Sequence, residues 1–247
     1  MPGITIFHTS DMHNKLSAES AERLRKLKKG NPGSFMFDPG DAIWAGNAFW
    51  RPGGEPVFDL TNSVPYDAMC IGNREYHIFS AGMHSKTGRA DFPVLSANLR
   101  TVRRGRKLPA VPYVAYERDG IRIAVMGLSV PCVTEKMLIK KMSDYYFVQP
   151  LAEAQELAPK LKAEHDLVIA LTHIGIQKDR DIAEKVRGID LILGGHTHVI
   201  TVEPELVGDT YIIHHGFYAH YVGRVDVTVG SDGKIRVTNE LIPLAKA

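Results

Sequence analysis

Short apolar runs separated by turn residues dominate the hydrophobic pattern of the chain. Most of them are rich in β-branched or aromatic side chains, which is typical of strands. The predicted strands are Ile4–Thr9, Ser34–Asp38, Ala68–Ile71, Val94–Ala97, Val111–Tyr116, Ile121–Leu128, Leu167–Leu171, Leu191–Leu193, Tyr211–His214, Val222–Val229 and Ile235–Leu241. Apolar residues at helical spacing predict helices at Ala18–Lys29, Val57–Asn62, Leu151–Glu164 and Asp179–Val186.

Strands and helices alternate early and late in the chain, and hairpins lie between and after them. Arg118-Asp119-Gly120 and Ser231-Asp232-Gly233 are turn signals between antiparallel strands. Several runs, such as Leu191–Leu193, are apolar at every position, which indicates strands covered on both faces. We therefore expect an α/β (α+β) protein in which two mixed β-sheets pack together with helices on the outer faces.

Composition narrows the class of protein. The 247 residues suit one large domain, and an apolar share of 44% argues against disorder. A net charge of +2 argues against a dedicated nucleic-acid binder. No run approaches the roughly 18 apolar residues of a membrane span, so no membrane partner is expected. Cys70 and Cys132 are too few for a disulfide framework, and the first residues do not form a signal peptide, so a cytoplasmic setting is expected.

Polar clusters follow five of the apolar runs, where loops free side chains from packing. They are Asp11-Met12-His13, Asp38-Pro39-Gly40-Asp41, Gly72-Asn73-Arg74-Glu75, Leu171-Thr172-His173 and Gly194-Gly195-His196-Thr197-His198. Asp11 and His13 are two positions apart, and so are His196 and His198. On extended backbone, both side chains of such a pair point to one side and can bind one ion. Mixed oxygen and imidazole ligands suit Mn, Fe, Co, Ni or Zn. Two carboxylates, one amide and four imidazoles are too many for one ion and about right for two divalent ions.

The five motifs, in this order, resemble those of the calcineurin-like metallophosphoesterase superfamily, which read D-x-H, G-D, G-N-H-E, H and G-H-x-H. The chain is most similar to the catalytic domain of the 5′-nucleotidase branch, through the segments FHTSDMH, DPGDAIWAG, FDLTNSVPYDAMCIGNREYH, LTHIG, LILGGHTH and HHGFYAHYVGRVDVTV. This resemblance implies a four-layer αββα sandwich with a dinuclear site at the loop ends between the sheets. It implies one metal ion on Asp11, His13, Asp41 and His198 and a second on Asp41, Asn73, His173 and His196, with Asp41 bridging.

The function that the resemblance implies is hydrolysis of phosphate monoesters, nucleotides among them, by in-line attack of a metal-bound hydroxide. Two divalent ions carry four positive charges, and Asp11 and Asp41 cancel two, so the remainder can hold hydroxide and phosphate together. The motifs and closing strands occupy most of the length, so residues 1–247 are expected to form a single metallophosphoesterase domain without a C-terminal nucleotide-binding domain. The expected partner is a small-molecule phosphoester, and a homo-oligomer stays open.

One motif departs from the family pattern. Arg74 stands where the family has the histidine that assists the leaving group, and His77 stands where the family has an aspartate. Arg74 keeps its proton and cannot be a general acid, but it can donate to phosphoryl oxygens. We therefore expect Arg74 to bind phosphate and His77 to supply a titratable imidazole. The alternative is that Arg74 pairs with Glu75 or another surface carboxylate, with His77 half exposed.

Residues near the motifs leave further alternatives open. Of His214 and His215, only one can face the site and contact substrate, because side chains alternate along a strand. Trp44, Phe49 and Trp50 follow the second motif and either stack on a base or pack in the core or at an interface.

Two other functions stay open at this point. A phosphodiesterase acting on cyclic nucleotides or nucleic acid is the first, and the basic run Arg100–Lys107 is either a solvated connection or a patch for such polyanions. A non-catalytic metal- or phosphate-binding module is the second, and it is suggested only by Arg74.

Overall fold

Two six-stranded sheets packed face to face form the centre of the protein. The computed structural model describes residues 3–103, 105–230 and 233–244; Arg104 of the basic run and Ser231 and Asp232 of the second predicted turn lie outside the described residues. The strands are β1 (Gly3–His8), β2 (Phe35–Asp38), β3 (Ala68–Cys70), β4 (Val94–Leu95), β5 (Leu99–Thr101), β6 (Tyr113–Arg118), β7 (Ile121–Ser129), β8 (Tyr145–Phe147), β9 (Leu167–His173), β10 (Leu191–Gly194), β11 (Glu205–Val207), β12 (Thr210–His214), β13 (Tyr221–Val229) and β14 (Ile235–Pro243). The helices are α1 (Ala18–Gly30), α2 (Val57–Ser63), α3 (Ser80–Thr87), α4 (Pro150–Glu164), α5 (Ile176–Lys185) and a 3-10 helix (Leu138–Met142).

Both sheets are mixed, as predicted. The first has the order β14-β13-β1-β2-β3-β4, in which β1 to β4 are parallel and β13 is antiparallel to β1. The second has the order β11-β12-β10-β9-β7-β6, in which β12, β10, β9 and β7 are parallel and the two outer strands are antiparallel to their neighbours. The predicted turn between β6 and β7 is present, with φ of 52° at Asp119 and 77° at Gly120, the signs that a tight hairpin turn requires.

Three apolar cores separate the layers. One fills the space between the two sheets and contains Ile6 of β1 and Ile169 of β9. The next residue of each strand points the other way, because side chains alternate along a strand. Phe7 therefore packs with α1 and α2, and Ala170 packs with α4 and α5. This arrangement is a four-layer αββα sandwich, and it explains why β9 and β10 are buried at every residue.

Several short elements escape the hydrophobic pattern. Strands β5, β8 and β11 have three residues each, which is too short to show a period. Helix α3 (SAGMHSKT) carries glycine, serine and threonine, which are poor helix formers. In the ranges described above, no helix combines the length and apolar character needed to cross a bilayer.

Candidate metal centre

Five of the predicted ligands have left-handed backbone. Their φ angles are 47° at Asp11, 47° at His13, 55° at Asp41, 79° at His196 and 56° at His198. Residues other than glycine seldom adopt positive φ, and those that do collect at functional sites. The expectation that the two pairs lie on extended backbone is therefore wrong. A left-handed residue turns the chain, so His196 and His198 contact different groups.

Asp11, His13 and His198 form the first group of ligand atoms. Nε2 of His13 lies 3.7 Å from Oδ1 of Asp11, and Nε2 of His198 lies 3.5 Å from the same oxygen. The second oxygen, Oδ2, accepts hydrogen bonds from Ser10 Oγ at 2.6 Å and from the backbone N–H of His196 at 3.0 Å. These bonds orient the carboxylate so that Oδ1 faces the two imidazoles.

Asp41 joins this group to a second one. Its Oδ2 lies 3.4 Å from Nε2 of His173 and 3.8 Å from Nε2 of His13. Nε2 of His173 is also 3.3 Å from Oδ1 of Asn73, and the ring of His196 is centred 5.0 Å from that of His173. The two sheets thus bring all seven predicted ligands together at the loop ends, with Asp41 between the two groups.

Electrostatics favour a cation between these side chains. Burial raises the pKa of Asp11, but the nearby imidazoles of His13 and His198 more than offset this and hold its pKa well below the usual range. Burial also acts against ionised Asp41, yet the charge of His173 lowers the pKa of Asp41. Conversely, burial lowers the pKa of His173, but Asp41 raises it to about 9. The two buried carboxylates therefore stay ionised, and their negative charge attracts a cation to the space beside the imidazoles.

The donor set fits divalent transition metals. Both ring nitrogens of His13 and Nδ1 of His173 are buried and have no hydrogen-bond partner among the described residues. Buried polar atoms normally have a partner, so these three nitrogens are suited to bind an ion. Ligand atoms lie within 4.8 Å of one another in two sets, Asp11–His13–His198 and Asp11–Asp41–His173. Imidazole and carboxylate together are ligands that Mn, Fe, Co, Ni and Zn accept.

Two buried charged residues, Glu75 and Lys86, support the ligand loops. Oε2 of Glu75 accepts hydrogen bonds from the backbone N–H groups of Asp41 and Gly72, both at 2.9 Å, so one carboxylate ties two loops together. Nζ of Lys86 donates to the carbonyl of Arg74 at 2.5 Å and to two other carbonyls, and burial lowers its pKa to about 8. Sequence reasoning missed both roles. Lys86 lies on the unpredicted helix α3, and the only signal for Glu75 was its place in the motif.

Arg74 lies beside the ligand groups. Its Nη1 donates to the carbonyl of Trp44 at 2.7 Å, and its guanidinium lies 4.9 Å from the centre of that indole ring. Its Nε is 3.5 Å from Oδ2 of Asp41, and its backbone N–H donates to Oδ1 at 2.8 Å. The alternative pairing with Glu75 is wrong, because Glu75 is buried and holds backbone N–H groups instead. The guanidinium keeps donors for an anion at the metal site.

His77 lies apart from the ligand groups. Its side chain is 2% exposed, and its ring is centred 4.6 Å from that of Trp50. Its Nδ1 accepts the backbone N–H of Phe79 at 3.0 Å. Burial lowers the pKa of His77, opposed by hydrogen bonds to the backbones of Phe79 and Ala48. The alternative of a half-exposed ring is wrong, and the role of His77 as a proton donor stays a prediction.

His214 and His215 are both buried with partners of their own. Nε2 of His214 lies 2.7 Å from Oδ2 of Asp179 in α5. Nε2 of His215 lies 2.8 Å from Oδ1 of Asn239 in β14, and its ring is centred 4.4 Å from that of His8. The two rings point to opposite sides of the strand, as alternation predicts. Contact of either residue with substrate stays a prediction.

This fold and site define a class of protein. The site combines carboxylates and imidazoles from two sheets with a neighbouring arginine. This combination is typical of metallohydrolases that act on anionic substrates. The family model for calcineurin-like phosphoesterases matches residues 4–200, which is most of the chain. The chain belongs to the calcineurin-like phosphoesterase family, which confirms the resemblance seen in the motifs.

Two curated relatives have names that refer to nucleotides. A trifunctional nucleotide phosphoesterase protein from Bacillus subtilis is 28% identical over 272 residues, which is 94% of this chain and 18% of the relative. A 5′-nucleotidase from Vibrio parahaemolyticus is 27% identical over 285 residues, which is 98% of this chain and 51% of the relative. The chain therefore spans about half the length of the second relative and far less of the first.

Solved structures show the same fold. A 5′-nucleotidase precursor from Thermus thermophilus superposes with a TM-score of 0.82 at 21% identity, over 98% of this chain and 54% of the other. An NAD nucleotidase from Haemophilus influenzae also gives a TM-score of 0.82, at 24% identity, over 98% of this chain and 56% of the other. At such identities the likeness extends to the fold alone.

Proposed function

We propose that the protein is a dinuclear metal-dependent phosphoesterase that hydrolyses phosphate monoesters, nucleotides among them. The observation that carries this proposal is the position of Asp41, whose Oδ2 faces His173 at 3.4 Å and His13 at 3.8 Å. One carboxylate oxygen between two imidazoles is suited to bridging two ions.

The proposed ligand sets are those that the motifs imply. Asp11, His13, Asp41 and His198 would hold one ion, and Asp41, Asn73, His173 and His196 the other. When bound, the ions would lower the pKa of a coordinated water and neutralise phosphoryl charge. Neighbouring residues of the chain orient the proposed ligands. Ser10 and the backbone N–H of His196 orient Asp11, while Glu75 fixes the loop of Asp41.

Arg74 would bind the phosphoryl group at the edge of this centre. Its backbone and Nη1 are held by Asp41 and by the carbonyl of Trp44. Its Nε is buried and has no hydrogen-bond partner among the described residues. A guanidinium is always charged and offers several donors, so Arg74 suits the binding of phosphoryl oxygens and the stabilisation of their charge.

An activity panel tests the proposal. We expect the metal-stripped protein to regain hydrolysis with at least one of Mn, Ni, Co, Zn and Mg, with monoesters preferred over diesters. Asp41→Asn should lose bound metal and turnover together. Asp190→Asn is the matched control, because Asp190 is also a buried carboxylate but pairs with Lys162 instead. Full activity of Asp41→Asn would refute the dinuclear assignment.

A phosphodiesterase is the second candidate. Arg74 is compatible with it, because a guanidinium can donate to the phosphoryl oxygens of a diester as well as to those of a monoester. Nucleic acid is less favoured, since Arg100 of the basic run pairs with Glu153 at 2.5 Å and Arg106 pairs with Asp144 at 3.1 Å. Faster turnover of diesters in the panel would select this function. Metal binding without turnover on any ester would select a binding module.

The remaining expectations concern the setting of the protein. A cytoplasmic location, a single-domain chain and the oligomeric state stay predictions.

A further inference from the structure

A cleft of about 340 Å³ opens next to the metal ligands. It is lined by His13, Asn14, Lys15, Trp44, Ala45, Phe49, Arg51 and Glu55. His13 belongs to the first ligand group, and its ring is centred 5.8 Å from the indole of Trp44. A phosphate held by the metal ligands and Arg74 therefore has this cleft beside it, where the rest of a substrate can lie. The volume is at the lower end of the range for small-molecule sites.

The walls of the cleft include two aromatic rings that are not buried. The side chain of Trp44 is 52% exposed and that of Phe49 is 66% exposed. Arg74 and His13 contact the Trp44 ring. These contacts fix the indole beside the reaction centre while half of its surface stays free. Exposed aromatic rings that line a cleft beside reactive groups offer flat apolar surface for stacking.

Glu55 supplies a polar group in the same cleft. It is 1% exposed, and its Oε1 has no hydrogen-bond partner among the described residues. The other oxygen, Oε2, lies 3.9 Å from Nε of Arg51, which is a loose ion pair. A buried carboxylate oxygen without a donor is costly, so the site is suited to a ligand that brings an N–H or O–H group.

We propose that this cleft binds the leaving group of the substrate, and that the leaving group is a nucleoside. Its base would stack on Trp44 and Phe49, and its hydroxyl or amino groups would donate to Glu55. The phosphoryl half of the assignment rests on the proposed function, but binding of the nucleoside alone does not. A small alkyl leaving group has no flat face to stack on the two aromatic rings, whereas a base has one.

Binding of free adenosine tests the cleft without any turnover. Trp50→Phe leaves Trp44 as the only tryptophan, so its fluorescence reports on the cleft. We expect adenosine to change this fluorescence with saturation, and Phe49→Ala or Glu55→Gln to weaken binding by about tenfold or more, as loss of a stacking or hydrogen-bonding partner does. Tyr113→Ala in β6 removes a different exposed aromatic ring and should leave binding unchanged. The proposal would be overturned if adenosine gave no saturable signal, or if Phe49→Ala and Glu55→Gln bound adenosine as tightly as the Trp50→Phe parent.

A second measurement separates the cleft from the phosphoesterase function. We expect Phe49→Ala to lower the ratio of kcat/KM for adenosine monophosphate to kcat/KM for glycerol phosphate by about tenfold. An unchanged ratio with hydrolysis intact would refute the cleft and leave the function standing. If neither ester is hydrolysed with any metal, the proposed function fails, and adenosine binding alone still decides the cleft.

Discussion

Gly72→Ala adds one methyl group beside the proposed bridging ligand. Gly72 follows β3, and its φ is not in the left-handed region, so alanine fits its backbone. The added Cβ would lie 2.3 Å from Oδ1 of Asp41, 2.4 Å from the backbone N of Asp41 and 2.8 Å from Oε2 of Glu75. Ordinary contact begins at 3.4 Å, so the Asp41 carboxylate must move by about 1.1 Å.

Such a movement acts on metal binding and on catalysis together. It disturbs the hydrogen bond from the Arg74 backbone to Asp41 and the two bonds that Glu75 makes to the loops. A misplacement of about 1 Å at a catalytic group can cost roughly 100-fold in rate. Overpacking of a buried position costs about 1–3 kcal/mol of stability. We therefore expect a loss of about 100-fold in kcat/KM and weaker Mn²⁺ binding, in a protein that still folds.

Three measurements decide the matter. Calorimetric titration of metal-stripped protein gives the affinity for Mn²⁺, steady-state kinetics on a phosphate monoester give kcat/KM, and thermal unfolding gives Tm. Gly30→Ala is the matched control, because a Cβ at Gly30 meets nothing within 4 Å. Wild-type affinity and kcat/KM in Gly72→Ala would show that the close approach to Asp41 is not what sets the metal centre.

Three further predictions concern neighbouring side chains. Arg74→Lys keeps the charge but loses the planar fork, so kcat/KM should fall by roughly tenfold or more with metal affinity retained; loss of metal would contradict this. If His77 donates a proton as predicted, His77→Ala should reduce turnover of poor leaving groups far more than of good ones; equal, small losses would refute that role and leave the ring its bond to the Phe79 backbone. Burial raises the pKa of Asp38 from 3.8 to about 7, so protonated Asp38 stabilises the metal-free fold and this stability is lost as pH rises through 7. Wild type should therefore lose about 4 kcal/mol relative to Asp38→Asn between pH 4 and 8 in denaturant unfolding, and parallel pH profiles would refute this.

The fold and the convergence of the seven predicted ligands were predictable, because strands and the polar residues at their ends form regular patterns in the sequence. Apolar runs such as Leu167–Leu171 and Leu191–Leu193 mark strands covered on both faces, and the structure has β9 and β10 there. The predicted ligands His173 and His196 lie at the end of β9 and just after β10, so the sheet order brings them together. The motif order then identified the family, which the family model confirms.

What escaped prediction depends on distant contacts or on single dihedral angles. Lys86 reaches three carbonyls only because α3 folds back beneath the loop of Arg74. The burial of His77 against Trp50 was not predictable either, because it depends on the fold of the loop between them. Nothing in the letters D-x-H or H-x-H shows that these residues are left-handed, so the expected side-by-side pairing of His196 and His198 was wrong.

The left-handed backbone of five predicted ligands also lowers the stability of the fold. Each non-glycine residue in this region costs about 1 kcal/mol or more, so Asp11, His13, Asp41, His196 and His198 together cost about 5 kcal/mol. That is comparable to the net stability of many domains. Glycine at these positions would relieve the strain, but it would remove the predicted ligands. Selection for thermal stability alone would therefore favour glycine at these positions. The surrounding sheets must be stable enough to tolerate the strained aspartates and histidines instead.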